Sequence, residues 1–173
     1  MKQKLILFFV IACCLNGMNQ DLKFFNQRPK KNLFLELAGN GGLLSINHEK
    51  INLISFKLMM VSKIGLGCTQ DYSFKSPENY FISLPGNLTF CFGKRRVLFE
   101  LGLGATVFLK VNSPFYDFSF YPIVGYRFQP LKANKLFLKA TISLPQNLGS
   151  DNYSISNSEI IFIPIGISIG KSF

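Results

Sequence analysis

The chain has 173 residues, 48% of them hydrophobic, 14% aromatic and only 16% charged, with 19 Lys and Arg against 9 Asp and Glu. That length suits a single domain, and the composition is too apolar for a disordered chain. Beyond the N-terminus no stretch approaches the ~18 to 20 uninterrupted apolar residues of a spanning helix, which excludes a polytopic helical membrane protein.

The first residues carry an export pattern. Lys2 and Lys4 precede the apolar run Leu5 to Leu15, and Asn16-Gly17 supplies a small residue before a polar stretch. This is the layout of a cleaved signal peptide over residues 1–17, with Val10-Ile11-Ala12-Cys13 offering lipidation at Cys13 as the alternative. Residues 18–32 then form a periplasmic N-terminal segment and residues 33–173 the folded domain. Cleavage near Gly17 leaves only Cys68 and Cys91, neither of them in a CxxC pair. The net charge of +10 does not gather on a helix; it falls in turns, at Arg28, Lys30 and Lys31, at Lys94, Arg95 and Arg96, and at Lys132 and Lys135. No nucleic-acid partner is expected from that distribution.

From residue 33 onward the dominant signal is strict alternation, which assigns one set of side chains to each face of a strand. Leu33, Leu35 and Leu37 are apolar at odd positions, whereas Leu44 and Ile46 are apolar at even ones. The phase slips at Gly39-Asn40-Gly41-Gly42, a turn signal that predicts a hairpin, with one bulged strand as the alternative. Leu58 to Cys68 continues the pattern more weakly. Tyr80 to Phe92 sets Tyr80, Ile82, Leu84, Leu88, Phe90 and Phe92 against Ser83, Asn87 and Thr89. In Val97 to Lys110 every odd residue is apolar, opposite Glu100, Gly102, Gly104 and Thr106. Phe118 to Phe128, Leu136 to Leu144 and Ile161 to Ile169 repeat the theme, with Arg127 and Lys139 on the polar parity. Eight strands are predicted, near 33–38, 43–49, 57–68, 80–92, 97–110, 116–128, 135–145 and 160–173; the alternative at Gly39–Gly42 gives seven.

Several strands reach the ~9 to 11 residues that a tilted strand needs to cross a bilayer, and tight connections alternate with longer polar ones at 69–79 and 146–159. Small and polar residues on one face with greasy residues on the other fit a barrel whose apolar side meets lipid better than a soluble barrel filled with apolar groups. The predicted fold is therefore all-β, an eight-stranded antiparallel up-and-down transmembrane β-barrel in the bacterial outer membrane with both termini periplasmic. Phe90, Phe92, Phe99, Tyr126, Phe128 and Phe173 fall near the periplasmic end on the outward face, as an interfacial girdle would.

The strings Leu33-Phe34-Leu35-Glu36-Leu37-Ala38-Gly39-Asn40-Gly41-Gly42, Ile64-Gly65-Leu66-Gly67, Leu98-Phe99-Glu100-Leu101-Gly102-Leu103-Gly104, Gly125-Tyr126-Arg127-Phe128-Gln129-Pro130 and Gly166-Ile167-Ser168-Ile169-Gly170-Lys171-Ser172-Phe173 resemble a large group of small bacterial outer-membrane β-barrel proteins (OmpX/OmpA-barrel-like). The resemblance implies that the terminal Phe173 is the signal by which the barrel assembly machinery takes up the C-terminal strand. Lys171 departs from the pattern, standing where an aromatic is usual.

Chemistry is sparse. The single histidine, His48, lies on the lipid-facing parity of its strand, and no serine follows two residues later, so no catalytic residue is expected. Neither a metal cluster nor a cofactor motif is present. The remaining constellation is a set of lumen charges, Glu36, Lys63, Glu100, Arg127 and Lys139, with Glu100 predicted to pair with Arg127 and Lys139 to share that acid or reach Glu36. The expectation is a non-enzymatic outer-membrane barrel plugged by these side chains, with a structural or surface-interaction role. Its partners are outer-membrane lipids, the assembly machinery and a surface ligand at the loops 69–79 and 146–159. A narrow porin-like channel is the alternative, and a lipid-modifying enzyme the third reading.

Overall fold

The computed structural model describes residues 28–55, 57–70, 80–93, 96–111, 116–144, 146–147 and 163–173. The predicted signal peptide at 1–17, Cys13, and the loop residues 71–79 and 148–159 lie outside them.

The strands are β1 (Lys31–Ala38), β2 (Leu44–Ser55), β3 (Leu58–Gln70), β4 (Tyr80–Phe92), β5 (Val97–Lys110), β6 (Tyr116–Phe128), β7 (Lys135–Ser143), the two-residue β8 (Gln146–Asn147) and β9 (Ile165–Ser172). Each wall strand pairs antiparallel with its neighbour, and β9 returns to β1 through pairs such as Leu33 with Lys171, which closes the sheet. β7 and β8 both pair with β6 in one unbroken register, Ile123 opposite Ser143 and Ser119 opposite Asn147, so together they make one wall strand. The molecule is an eight-stranded, all-antiparallel, closed β-barrel.

Closure is staggered. Lys31 leads by register through Lys50, Ser62, Leu88 and Leu103 to Pro122. Extending the next two registers leads on through Leu144 and Ile163 and meets β1 again ten residues further along, at Gly41. Eight strands with that stagger, at ordinary strand spacing, tilt by about 40° and enclose a space that side chains fill.

The alternation places side chains as the sequence predicts. Val97, Leu101, Leu103 and Leu109 on β5, and Ile165, Ile167 and Ile169 on β9, are exposed on the outer face, whereas Glu100, Thr106 and Ser168 are fully buried inside. Near the tight-turn end Phe92, Phe99 and Tyr126 lie side by side by register, with Phe99 and Tyr126 packed edge to face at 5.5 Å. Cys68 is exposed on the wall opposite Ile82 and Cys91 is buried inside opposite Met59; both are free thiols, separated by most of the length of β3.

Three expectations need correction. β1 starts at Lys31, so Asn32, assigned from sequence to the preceding segment, is a fully buried lumen residue. β2 runs on to Ser55 rather than ending at 49. Thr69 and Gln70 belong to β3, and Gln146 and Asn147 to β8, so the connections at 69–79 and 146–159 are narrower than predicted. The predicted hairpin at Gly39–Gly42 is present, with Leu37 opposite Leu44 and Ala38 N–H donating to Leu43 O at 2.9 Å, and its connection Gly39-Asn40-Gly41 is a buried 3-10 turn. The backbone enters it through Ala38 at φ 59°, Gly39 at 83° and leaves through Gly42 at 91°.

Candidate functional site

The lumen is filled in layers. At the tight-turn end an apolar cluster of Ile51, Met59, Val61, Cys91 and Leu98 seals it, with Leu53 packed against the cluster. Beside this cluster Asn32, Gln129 and Ser172 hydrogen-bond one another, with Ser172 Oγ donating to Asn32 Oδ1 at 2.6 Å.

Next comes a charged layer. Arg127 on β6 donates through Nε to Glu100 Oε2 on β5 at 2.8 Å, and through Nη2 to Glu49 on β2 at 3.0 and 3.1 Å. Lys139 on β7, the ladder neighbour of Arg127, joins the same two acids, at 2.9 Å from Glu49 and 3.3 Å from Glu100. Thr89 and Asn32 donate to the carboxylates at 2.7 and 3.1 Å. Aromatic faces complete the shell, with the Arg127 guanidinium 5.3 Å from the Phe137 ring and the Lys139 amine 5.5 Å from that of Phe34. All four charged side chains are excluded from water. Such groups persist in a dry interior only when each is paired and hydrogen-bonded, as here.

The predicted pair of Glu100 and Arg127 is present, and Lys139 shares the acid rather than reaching Glu36. Glu36 and Lys63, expected to join the others, instead form their own ion pair of 2.7 Å, with Asn47 donating to the same carboxylate oxygen at 3.3 Å. Glu49 was missed. Its parity matches the lumen residues Ser45 and Asn47, which was the available signal, but it stood at the last position of a strand drawn too short. With Glu49 included, these ion pairs join three carboxylates (Glu36, Glu49, Glu100) to the three cations Lys63, Arg127 and Lys139, so the paired network itself carries no net charge, and the buried Arg28 donates separately to Met59 Sδ at 3.6 Å.

The far half is plugged by backbone. Thr106 Oγ1 donates to Asn40 O at 2.8 Å, Ser83 Oγ donates to Gly41 O, and Ser143 Oγ donates to Asn40 Oδ1, so strands β4, β5 and β7 all hold the inturned segment. Asn87, in the amide orientation that satisfies both its ends, accepts from Asn40 Nδ2 and Lys63 Nζ, each at 3.2 Å, and donates to Tyr121 Oη at 3.1 Å. This ties the turn to the Glu36–Lys63 pair. The wall makes room by giving up side chains: a Cβ on Gly67 would overlap the Gly41 carbonyl oxygen.

Of the other residues singled out, His48 is exposed on the outer face between Leu33 and Ile64. Phe173 is half exposed, and its carbonyl oxygen accepts from the backbone of Lys30 and Lys31 at 2.9 and 3.2 Å. The sequence matches no family model, no curated protein and no solved structure. Fold and site geometry therefore carry the functional reading.

Proposed function

We propose that this chain is an outer-membrane β-barrel without enzymatic activity, whose role is structural or surface-interacting and whose lumen is a load of packed side chains rather than a passage. The observation that carries the reading is the combination of an apolar outer wall with an ion-paired interior that is blocked near both ends. Water-soluble barrels bury their apolar face; this one turns it outward, which suits a lipid surround. A lumen blocked by an apolar cluster, a charged layer and a backbone turn in series gives a solute no continuous path. Interaction then falls to the connections at the end away from the tight turns, and uptake into the membrane to the strand that ends in Phe173. The N-terminal export pattern agrees with this location.

The test is reconstitution. The mature chain should fractionate with outer membranes, show heat-modifiable mobility on gels and give no unitary conductance in planar bilayers. Recovery in the periplasmic soluble fraction would overturn the membrane assignment, and steady conductance would replace the plugged barrel with the channel.

A further inference from the structure

The tight-turn end of the outer wall is not uniform. On β4, β5 and β6 it carries Phe92, Phe99 and Tyr126. On β9, β1 and β2, the opposite flank, the outward positions at that end are Lys171, Lys31 and Lys50, all exposed. Lys31 and Lys50 are direct cross-strand partners, and Lys171 sits opposite Leu33, two residues along β1 from Lys31. Direct partners on one face have Cβ atoms about 5 Å apart and diagonal neighbours about 7 to 8 Å, so three amines converge on one patch.

Like charges directly opposite each other destabilise a sheet unless something offsets them. The acids Glu36, Glu49 and Glu100 do not, because all three are consumed by ion pairs inside the lumen. Lys171 does have its amine over the Phe173 ring at 5.5 Å, which steadies its position without neutralising it. Immediately above the amines, on the same face, the wall becomes apolar through Leu33, Leu35, Ile46, Ile64, Ile167 and Ile169. A cationic patch with an apolar stripe rising from it has the two-part chemistry of one molecule, an anionic glycerophospholipid.

We propose that Lys31, Lys50 and Lys171 form a binding site for the phosphate of an anionic phospholipid headgroup, whose acyl chains lie along Leu33, Leu35 and Ile169. The inference rests on the membrane assignment above. The long lysine stems lie on apolar wall while their amines reach the headgroup layer, and attraction to anionic lipid adds across the three.

The experiment uses the full mature barrel in phosphatidylcholine vesicles containing spin-labelled phosphatidylglycerol or spin-labelled phosphatidylcholine, and reads the fraction of label held at the protein surface. The wild type should prefer phosphatidylglycerol. Each of Lys31→Gln, Lys50→Gln and Lys171→Gln should weaken the preference by about fivefold, the effect of one amine at an anionic surface, and the triple variant should abolish it. Lys110→Gln, at the other end of the wall, should leave it intact. Folding of each variant is checked by heat-modifiable mobility, and removing repelling amines should not impair it. Equal retention of the two lipids by the wild type, or an unchanged preference in the triple variant, overturns the site. Displacement of phosphatidylglycerol by millimolar inorganic phosphate reassigns the amines to a free anion and overturns the lipid as occupant. A barrel that enters no vesicle of either composition overturns the membrane assignment itself, and the site with it.

Discussion

The two halves of the lumen solve one packing problem by different means. Near the tight turns the space is closed by long side chains, Glu49, Glu100, Arg127 and Lys139, each reaching in from a different strand. In the far half it is closed by main chain, with Gly39-Asn40-Gly41 folded inward and gripped by hydroxyls of Ser83, Thr106 and Ser143. The first half is held by charge and fails electrostatically; the second is held by shape and fails sterically. Substitutions in each should separate the two modes.

The largest effect is expected in the charged layer. Glu100→Ala removes one of two acids from two cations, and leaving buried charge uncompensated should cost about 3 to 5 kcal/mol in urea unfolding from detergent. Glu100→Leu combined with Arg127→Met leaves Glu49 facing Lys139 and keeps the charge balance, so the double variant should be far milder than the single one. A double variant as unstable as Glu100→Ala would show that the layer is held by something other than pairing.

In the shape-held half, Gly67→Val drives a side chain into the Gly41 carbonyl. Overpacking of this kind should destabilise by about 1 to 3 kcal/mol. It should also leave planar bilayers silent, because the charged layer and the apolar cluster still block the lumen. Conductance from Gly67→Val would reveal that the inturned segment is the sole barrier.

Ala38→Gly should act in the opposite direction. Ala38 has φ 59° and ψ −170°, a region essentially confined to glycine, where holding another residue costs on the order of 1 to 3 kcal/mol. Relief of that strain, less the entropy that glycine brings to the unfolded chain, should stabilise by about 1 kcal/mol. An unchanged urea midpoint would place the inward bend elsewhere.

The smallest perturbation compares the faces. A membrane-permeant maleimide should modify the exposed Cys68 in the native barrel and spare Cys91, sealed in the apolar cluster, until unfolding. Equal rates would mean that the tight-turn end is open.

Facing was legible because it depends only on parity. Ser83, Asn87, Thr89, Glu100, Thr106, Arg127 and Lys139, assigned to the lumen, are all inside, and Leu103 and Ile167 are outside. Depth was harder, since it depends on register around the whole circuit. That is why Lys63 was placed with the other charges although it pairs at its own level with Glu36. The apolar seal was hidden because Met59, Val61, Cys91 and Leu98 occupy the polar parity of their strands; they become a cluster only after the strands are juxtaposed. The glycine run announced a turn. Its direction was set by distant partners, Thr106 and Ser143, which no local pattern reveals.

The pairing of β1 with β9 has a kinetic consequence. The ladder that joins Leu33 to Lys171 and Phe34 to Gly170 connects the beginning of the domain to its end, so it is the longest loop the chain has to close. Every earlier intermediate carries two unsatisfied strand edges and an uncovered greasy surface, the combination that invites aggregation. Unassisted folding should therefore be slow, with its barrier set by contact order. A circular permutant that joins the present termini and opens another tight turn should move that barrier to the new seam without altering the finished barrel.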